Sequence, residues 1–297
     1  MAKKIQGSFA SIVTPFKKDS LKIDFDALID LVTFVSDNGA NGIIPLSSYG
    51  EFCSLTLAEK QEMLATLSEV KNNLLFVPQV GSDNFEETIE LAKYAAGVKA
   101  DAIIVVPPYF YRDVQIEGLI NYYEKIIKAV NLPIYLYHIP KFSIEISDIL
   151  IEKLMETGKL AGVKDASDNI VFSTQLKMKY PDLNIILSNE HLFYSGLNMG
   201  ITTFASSLFN AFPEVIKSVT FDFHQPKKGG KAAQNYVNEI YSILKSYPRI
   251  SALKYATSLR GIGGSDVRPP LMSLSKDNQR SLKEALVKYI MAPVIID

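Results

Sequence analysis

The most constraining feature of this sequence is a regular alternation of short apolar runs with longer amphipathic stretches of helical period. Several of the apolar runs show no polar alternation, which is typical of strands buried on both faces of a parallel sheet. We predict strands at residues 8–13, 42–46, 75–80, 102–106, 134–137, 160–164, 184–187 and 201–205. Between them we predict helices, among others at 26–37, 57–70, 85–96, 116–129, 146–156 and 172–180.

Eight strands, each followed by a helix, predict an α/β fold of the (β/α)8 or TIM-barrel type. An open, doubly wound parallel sheet is the alternative. The strand pattern ends near residue 212, and further helices are predicted at 213–223, 231–245, 251–259 and 276–289. Because the eighth barrel unit needs only one helix, we expect a barrel over 1–223. A C-terminal helical extension over 224–297, with an exposed loop at 226–230, is expected to pack on it.

The charge balance argues against a polyanionic partner. Lys and Arg total 31 against 32 Asp and Glu, so we expect neither nucleic acid nor an anionic membrane as a partner. We find no run of about 18 apolar residues that would span a membrane, and no apolar signal-peptide stretch near the start. With one cysteine, Cys53, the chain can form no intrachain disulfide, which suits a cytoplasmic protein.

Lys164 is the most informative residue at a predicted strand end. Barrel enzymes hold their reacting groups at the carboxyl ends of the strands, and Lys164 directly follows the apolar run 160–163. A partly desolvated amine there is neutral more often and therefore nucleophilic, so it could form an imine with a ketone. The alternative is a structural lysine that reaches the rim or pairs with Asp165.

Two further features accompany this lysine. Tyr137 ends the preceding predicted strand, and since neighbouring strands lie about 4.8 Å apart, its phenol could relay protons at the Lys164 amine. An ordinary core aromatic is the alternative. The turn 47–51, Ser-Ser-Tyr-Gly-Glu, offers hydroxyls and successive backbone amides that can form a nest for one carboxylate.

Other polar residues point to no further chemistry. His138, His191 and His224 lack metal-ligand spacing, so we expect no metal site, and we expect His138 to be a polar filler behind the site. Cys53 has no paired histidine and is expected to be a buried structural thiol. The run 261–264, Gly-Ile-Gly-Gly, follows a helix instead of a strand and predicts a turn, not a dinucleotide site.

Five short segments match the motifs of one enzyme family in order and spacing. They are Thr-Pro-Phe at 14–16, Ser-Tyr-Gly-Glu-Phe at 48–52, Tyr-His-Ile-Pro at 137–140, Gly-Val-Lys-Asp-Ala-Ser at 162–167 and Val-Arg-Pro-Pro-Leu at 267–271. Over essentially the whole chain the sequence resembles the N-acetylneuraminate lyase / dihydrodipicolinate synthase family. The second segment resembles its pyruvate-carboxylate turn, the third its Tyr-Asn-x-Pro motif, and the fourth the segment that bears its Schiff-base lysine.

The resemblance implies a class I lyase or aldolase in which a 2-keto acid such as pyruvate forms an imine with Lys164. Tyr137 would move the proton as a carbon–carbon bond breaks or forms, and no metal or organic cofactor is implied. The resemblance also assigns substrate contacts: Ser48 and Tyr49 to the carboxylate, the backbone near Ala205 to the closed side of the site, Glu190 to a hydroxyl, and Ser207 to the substrate. Such enzymes are commonly homotetramers built as a dimer of dimers, with residues 109–111 near the tight-dimer interface.

Departures from the motifs bear on the substrate. Dihydrodipicolinate synthases resemble this chain but carry an arginine where it has Phe142 and a relay tyrosine where it has Phe110, unless Tyr111 takes that role. Sialic acid lyases usually carry a threonine where it has Ala166 and an Asp-Glu pair where it has residues 190–191, Glu-His.

We therefore expect cleavage or formation of a carbon–carbon bond to pyruvate, on a 2-keto-3-deoxy sugar acid or N-acetylneuraminate. Tyr49, where a small threonine is usual, narrows the pocket and makes a shorter hydroxy-2-keto acid equally acceptable. Dihydrodipicolinate synthase-like condensation and 2-keto-3-deoxy acid dehydration are the alternatives within the family. A barrel that binds a keto acid without catalysis is the alternative of another class, although binding alone requires neither Lys164 nor Tyr137.

Overall fold

Eight short parallel strands form the centre of the structure, a computed structural model that describes residues 5–220 and 230–291. The strands are β1 (Gly7–Ala10), β2 (Gly42–Ile43), β3 (Leu75–Phe76), β4 (Ile103–Val105), β5 (Ile134–His138), β6 (Leu160–Asp165), β7 (Asn184–Leu187) and β8 (Thr203–Ser206). Their order is β3-β2-β1-β8-β7-β6-β5-β4. A parallel bridge between Gln79 and Ile104 joins the two ends of this order, with the Val80 amide donating to the Ile104 carbonyl at 2.8 Å. The predicted barrel is confirmed, and the open doubly wound sheet is excluded.

Several strands are shorter than predicted at their carboxyl ends. β2 and β3 contain two residues each, although backbone hydrogen bonds continue beyond them: the Gln79 amide donates to the Pro45 carbonyl at 3.1 Å. Pro45 and Pro78 carry no amide hydrogen, so the ladder beyond β2 and β3 cannot be regular. Each strand end is thereby replaced by an irregular segment at the barrel mouth.

Helices surround the barrel and alternate with its strands. They are α1 (Phe25–Asp37), α2 (Leu57–Val70), α3 (Phe85–Gly97), α4 (Ile116–Ala129), α5 (Asp148–Met155), α6 (Ile170–Lys179), α7 (Phe193–Asn198) and α8 (Pro213–Thr220). Polar caps start several of them; Asn84, for example, accepts from two amides of the first turn of α3. The apolar faces pack on the strands, so that Phe9, Phe76 and Phe204 are fully buried.

The helical extension is present as α9 (Gly230–Lys245), α10 (Arg249–Ser258) and α11 (Lys276–Met291). Polar contacts attach it to the barrel: the Gln234 side chain donates to the Glu190 carbonyl at 3.0 Å and accepts from the Tyr194 amide at 2.8 Å. The predicted boundary between residues 223 and 224, and the predicted loop up to residue 229, lie outside the described residues. Within residues 5–220 and 230–291, none of the helices combines the length and apolarity that a membrane crossing requires.

Candidate active site

Lys164 and Tyr137 lie side by side on adjacent strands. Their Cα atoms are partners in the register of β5 and β6, so both side chains point to the same face of the sheet. The Lys164 Nζ lies 3.8 Å from the centre of the Tyr137 ring. Both residues are buried, at 1% and 3% exposure. The lysine therefore does not extend into solvent at the rim.

Asp165 does not pair with the Lys164 amine. Successive residues of a strand point to opposite faces, and the Asp165 carboxylate accepts from the Ser167 amide at 2.9 Å and from the Ser173 hydroxyl at 2.5 Å. Among the described residues no carboxylate lies within 4.0 Å of the Lys164 Nζ. The amine is thus not held in an ion pair and can meet a carbonyl group.

Ser48 extends this pair into a chain of three functional groups. Its hydroxyl lies 3.4 Å from the Tyr137 hydroxyl, and either group can donate. Lys164, Tyr137 and Ser48 thus bring an amine, a phenol and an alcohol together, with the amine over the face of the Tyr137 ring and the two hydroxyls within hydrogen-bond distance of each other. Such a chain can move a proton to and from a ligand bound at the amine.

The turn that presents Ser48 is tightly held. It is a short 3-10 helix, Ser48–Gly50, and Glu51 follows in the left-handed region at φ 54°. The Thr14 hydroxyl donates to the Gly50 carbonyl at 2.7 Å, and a Cβ on Gly50 would approach the Ile12 carbonyl oxygen to 3.1 Å. The neighbouring Ser47 hydroxyl is buried and has no hydrogen-bond partner among the described residues.

A buried ion pair secures this turn to the helical extension. The Glu51 carboxylate accepts from the Lys254 amine at 2.8 Å and from the Arg268 amide at 3.0 Å. The side chains of Lys254 and Glu51 are 1% and 0% exposed. Arg268 also donates to both oxygens of Glu59, at the start of α2. The extension therefore holds the predicted carboxylate turn in place.

Glu190 and Ser207, which follow β7 and β8, are bound to each other at the barrel mouth. One carboxylate oxygen of Glu190, Oε1, accepts from the hydroxyls of Ser206 (3.2 Å) and Ser207 (2.9 Å) and from the amides of Ser207 and Leu208. The other oxygen, Oε2, makes no hydrogen bond to the described part of the chain. Ala205 is fully buried in β8, directly before these residues.

Tyr49 links the turn Ser48–Gly50, to which it belongs, with Ser207, to which its phenol is hydrogen-bonded. Burial, and then the negative charge of Glu190, raise the pKa of the Tyr49 phenol, while Arg249 and a hydrogen bond with Ser207 lower it less. The phenol is therefore a neutral donor across the physiological range. The Tyr49 ring also faces Arg249, whose guanidinium carbon lies 5.6 Å from the ring centre.

Three residues at positions where the family motifs differ from this chain are exposed, whereas Lys164 is buried. Phe142, Phe110 and Tyr111 are 53%, 76% and 68% exposed. Tyr111 packs edge-on against Phe110 and makes no hydrogen bond to Lys164 or Tyr137 within the described chain. Within the described chain, neither Phe110 nor Tyr111 therefore supplies a second phenol to the site.

Two other expectations have contrasting outcomes. His138 is buried, stacks on Phe172 with ring centres 3.8 Å apart, and accepts from the Ile146 amide through Nδ1, in keeping with a supporting role.

The expectation that Cys53 is a buried thiol is wrong, because Cys53 is exposed. Its neighbour Phe52 takes the buried position in that turn, which leaves Cys53 on the outer side.

No group of three or more His, Cys, Asp or Glu side chains in residues 5–220 and 230–291 is arranged to hold a metal ion. His224 lies outside these ranges.

The site contains residues that sequence reasoning missed, namely Arg249, Tyr241 and Lys254. All three lie in the extension, and no local motif marks them.

Comparisons with known proteins agree with this geometry. Residues 4–289 match the model of the dihydrodipicolinate synthetase family. A DapA-like lyase of Halobacterium salinarum, itself uncharacterized, is 31% identical over 287 residues, which cover 95% of this chain and 93% of the relative. A 4-hydroxy-tetrahydrodipicolinate synthase of Hydrogenobaculum is 28% identical and covers 96% and 99% of the two chains.

Solved structures show the same fold. An N-acetylneuraminate lyase from Mycoplasma synoviae is 28% identical, with a TM-score of 0.88 over 96% of this chain and 98% of its own. YagE, a prophage protein of Escherichia coli K12 solved in complex with pyruvate, has a TM-score of 0.90 over 96% and 98% of the chains at 23% identity. At that identity the second likeness concerns the fold alone. The chain belongs to the dihydrodipicolinate synthetase family, whose members are lyases or synthases of the class I aldolase type.

Proposed function

We propose that this protein is a class I lyase that makes or breaks a carbon–carbon bond to pyruvate through an imine on Lys164. The observation that supports it best is the buried Lys164 amine, which has no carboxylate partner in the described part of the chain and lies 3.8 Å from the centre of the Tyr137 ring. Members of the family form a Schiff base with pyruvate and use no external cofactor. A buried amine beside a phenol matches that chemistry.

The proposed reaction begins when the Lys164 nitrogen attacks the ketone carbon of a 4-hydroxy-2-keto acid. Loss of water leaves an iminium ion, which withdraws electrons from the neighbouring carbons. Tyr137, which has given its proton to the departing water, accepts the proton of the substrate's 4-hydroxyl. The bond between carbons 3 and 4 breaks, and its electrons form an enamine. An aldehyde leaves. Protonation of the enamine at carbon 3 and hydrolysis of the imine then release pyruvate and free Lys164.

Ser48 and its turn fit the carboxylate of the keto acid. The turn presents a hydroxyl and consecutive backbone amides, which are suitable donors for one anion. Ser48 also approaches the Tyr137 hydroxyl, so a carboxylate bound there would sit next to the proton-transfer group. Ala205, on β8, would close the site with backbone groups.

Hydroxylated substrates are supported over the condensation of lysine biosynthesis. The free Oε2 of Glu190 can accept from a substrate hydroxyl, since the four donors to this carboxylate all use Oε1. Phe142 offers no charge at the position where dihydrodipicolinate synthases carry arginine, and it is exposed. We therefore propose a hydroxy-2-keto acid, including 2-keto-3-deoxy sugar acids and N-acetylneuraminate, as the substrate class.

Borohydride reduction in the presence of pyruvate tests the imine directly. The wild-type protein should gain one pyruvate-derived mass adduct, and peptide mapping should place it on Lys164. Lys164→Ala should show no adduct, whereas Lys153→Ala, an exposed lysine on α5, should behave as wild type. No adduct on the wild type, or an adduct that survives in Lys164→Ala, would exclude the mechanism and favour a barrel that merely binds keto acids.

A panel assay addresses the substrate. Pyruvate release should be measured from N-acetylneuraminate, 2-keto-3-deoxygluconate and 4-hydroxy-2-oxoglutarate, with the dihydrodipicolinate condensation as a fourth reaction. We expect at least one of the three cleavages to proceed faster than the condensation. A preference for the condensation would reject the substrate class but leave the imine chemistry intact.

We also propose a cytoplasmic homotetramer, built as a dimer of dimers. In support, Phe110 and Tyr111 form an exposed aromatic pair in the loop after β4. Light scattering should return four subunits, and Tyr111→Asp should reduce that number. A wild-type monomer would reject this assembly.

A further inference from the structure

Arg249 places a positive charge at the mouth of the barrel. It is the first residue of α10, and its guanidinium carbon lies 5.6 Å from the centre of the Tyr49 ring and 5.0 Å from that of Tyr241. Arg249, Tyr49 and Ser207 line one cleft. Tyr49 is the residue directly after Ser48, so this cleft adjoins the proposed carboxylate turn.

Within the described part of the chain this guanidinium forms no ion pair, although the charges of Glu190 and Asp168 act on it from a longer distance. Among the described residues no carboxylate lies within 4.0 Å of it. The two acidic residues of this rim have other partners: Glu190 accepts from Ser206, Ser207 and Leu208. Asp168 accepts from the Asn189 side chain and lies 3.7 Å from the His191 ring nitrogen. The aromatic faces hold the arginine in place but leave its charge unpaired.

We propose that Arg249 binds a second carboxylate, at the end of the substrate remote from the keto acid group, so that within the substrate class proposed above the protein prefers 2-keto dicarboxylic acids. This inference rests on the proposed function, because the imine with Lys164 fixes the first end of the substrate. The position of Arg249 in the cleft that Tyr49 and Ser207 also line then sets where the second end of the substrate lies.

The surroundings favour a carboxylate over a phosphate. A planar guanidinium can bind both oxygens of a carboxylate at once. Arg249 is the one cation that lines this cleft among the described residues, and Glu190 and Asp168 lie on the same rim, so a doubly charged phosphate would be poorly balanced. Tyr241, whose ring also faces Arg249, adds a neutral hydroxyl that can donate to the same anion.

Matched keto acids that need not be turned over test the idea. 2-Oxoglutarate and 2-oxopentanoate have the same chain length but end in a carboxylate and a methyl group, and 2-oxoadipate and 2-oxohexanoate form a longer pair. The concentration that gives half-maximal borohydride trapping on Lys164 should be measured for each, with pyruvate as the reference. In the wild type, at one chain length, trapping should saturate at about 10- to 100-fold lower concentration for the dicarboxylate.

Arg249→Gln should remove this preference and Arg249→Lys should keep part of it, and in both variants the loss of trapping should be larger for the dicarboxylates than for pyruvate. Equal saturation by both members of each pair in the wild type would overturn the proposal, even if Arg249→Gln does not fold. So would an equal loss of trapping for pyruvate and the dicarboxylates in Arg249→Gln. Failure of pyruvate itself to trap on the wild type would instead reject the proposed function, and this inference with it.

Discussion

The buried pair of Lys254 and Glu51 should show that the helical extension stabilises the carboxylate turn. The two side chains are 1% and 0% exposed and lie 2.8 Å apart. Lys254→Met leaves the Glu51 carboxylate with the Arg268 amide as its remaining donor. An uncompensated buried charge of this kind costs about 3–5 kcal/mol of the free energy of unfolding.

Glu51→Gln should cost less, about 2–3 kcal/mol, because the Lys254 ammonium keeps two favourable contacts. It lies 4.1 Å from the centre of the Phe16 ring, and the new amide oxygen can still accept from it. The double variant Glu51→Gln, Lys254→Met contains no buried charge at this place. It should therefore be more stable than Lys254→Met alone, as is found for buried pairs that are replaced together.

Urea unfolding followed by circular dichroism measures these differences, and pyruvate trapping reports on the turn. We expect Lys254→Met to raise the pyruvate concentration for half-maximal trapping, since Glu51 follows directly on the turn Ser48–Gly50. If Lys254→Met lies within about 1 kcal/mol of the wild type, the reasoning about the buried pair is refuted. The same holds if the losses of the two single variants simply add in the double variant.

Three further predictions concern the proton relay and the response to acid. Tyr137→Phe keeps the ring beside Lys164 but removes the hydroxyl, so turnover should fall about 100-fold while pyruvate trapping persists; equal loss of both would contradict a relay role. Arg268 lowers the pKa of Glu59 to about 2, so the stability from this pair is present above pH about 4.3 and is lost as the pH falls toward 2. Glu59→Gln should flatten that part of the urea midpoint plotted against pH, and an unchanged curve would exclude the linkage. Burial lowers the pKa of His138, while the charges of Asp165 and Glu145 raise it by less. The stability that the folded protein has with a neutral His138 is therefore present above about pH 6.5, and it is lost as the pH falls through the pKa of the folded state. His138→Asn should remove this acid-side loss in the same titration, and a slope equal to that of the wild type would show that His138 is not its source.

The barrel and the central pair of the site could be predicted because both depend on local patterns. A strand buried on both faces must be apolar along its length, so the eight runs marked the strands directly. The last residue of a barrel strand lies at the barrel mouth, so the sequence alone predicts that Lys164 and Tyr137 lie at the same mouth. The register of β5 and β6 shows that they are direct neighbours. Their chemistry followed from an amine and a phenol on adjacent strands.

Exposure and pairing at the rim could not be predicted in this way. Cys53 and Phe52 are neighbours in one short turn, and only the packing of the surrounding elements decides which of them is buried. Similarly, Glu190 and Ser207 were expected to contact a substrate, but the structure shows that they first bind each other. Local sequence does not reveal such partners, because they come from different strand ends.

The sequence by itself determined the barrel, the strand-end lysine and tyrosine, and the turn at 47–51. Only the tertiary structure decided what surrounds them. Lys254 reaches Glu51 from 203 residues away, and Arg249 enters the same mouth from the helical extension. The physical reason is range: strand and helix patterns arise from neighbours in the chain, whereas an ion pair or a binding cleft requires elements that meet only after the barrel has closed.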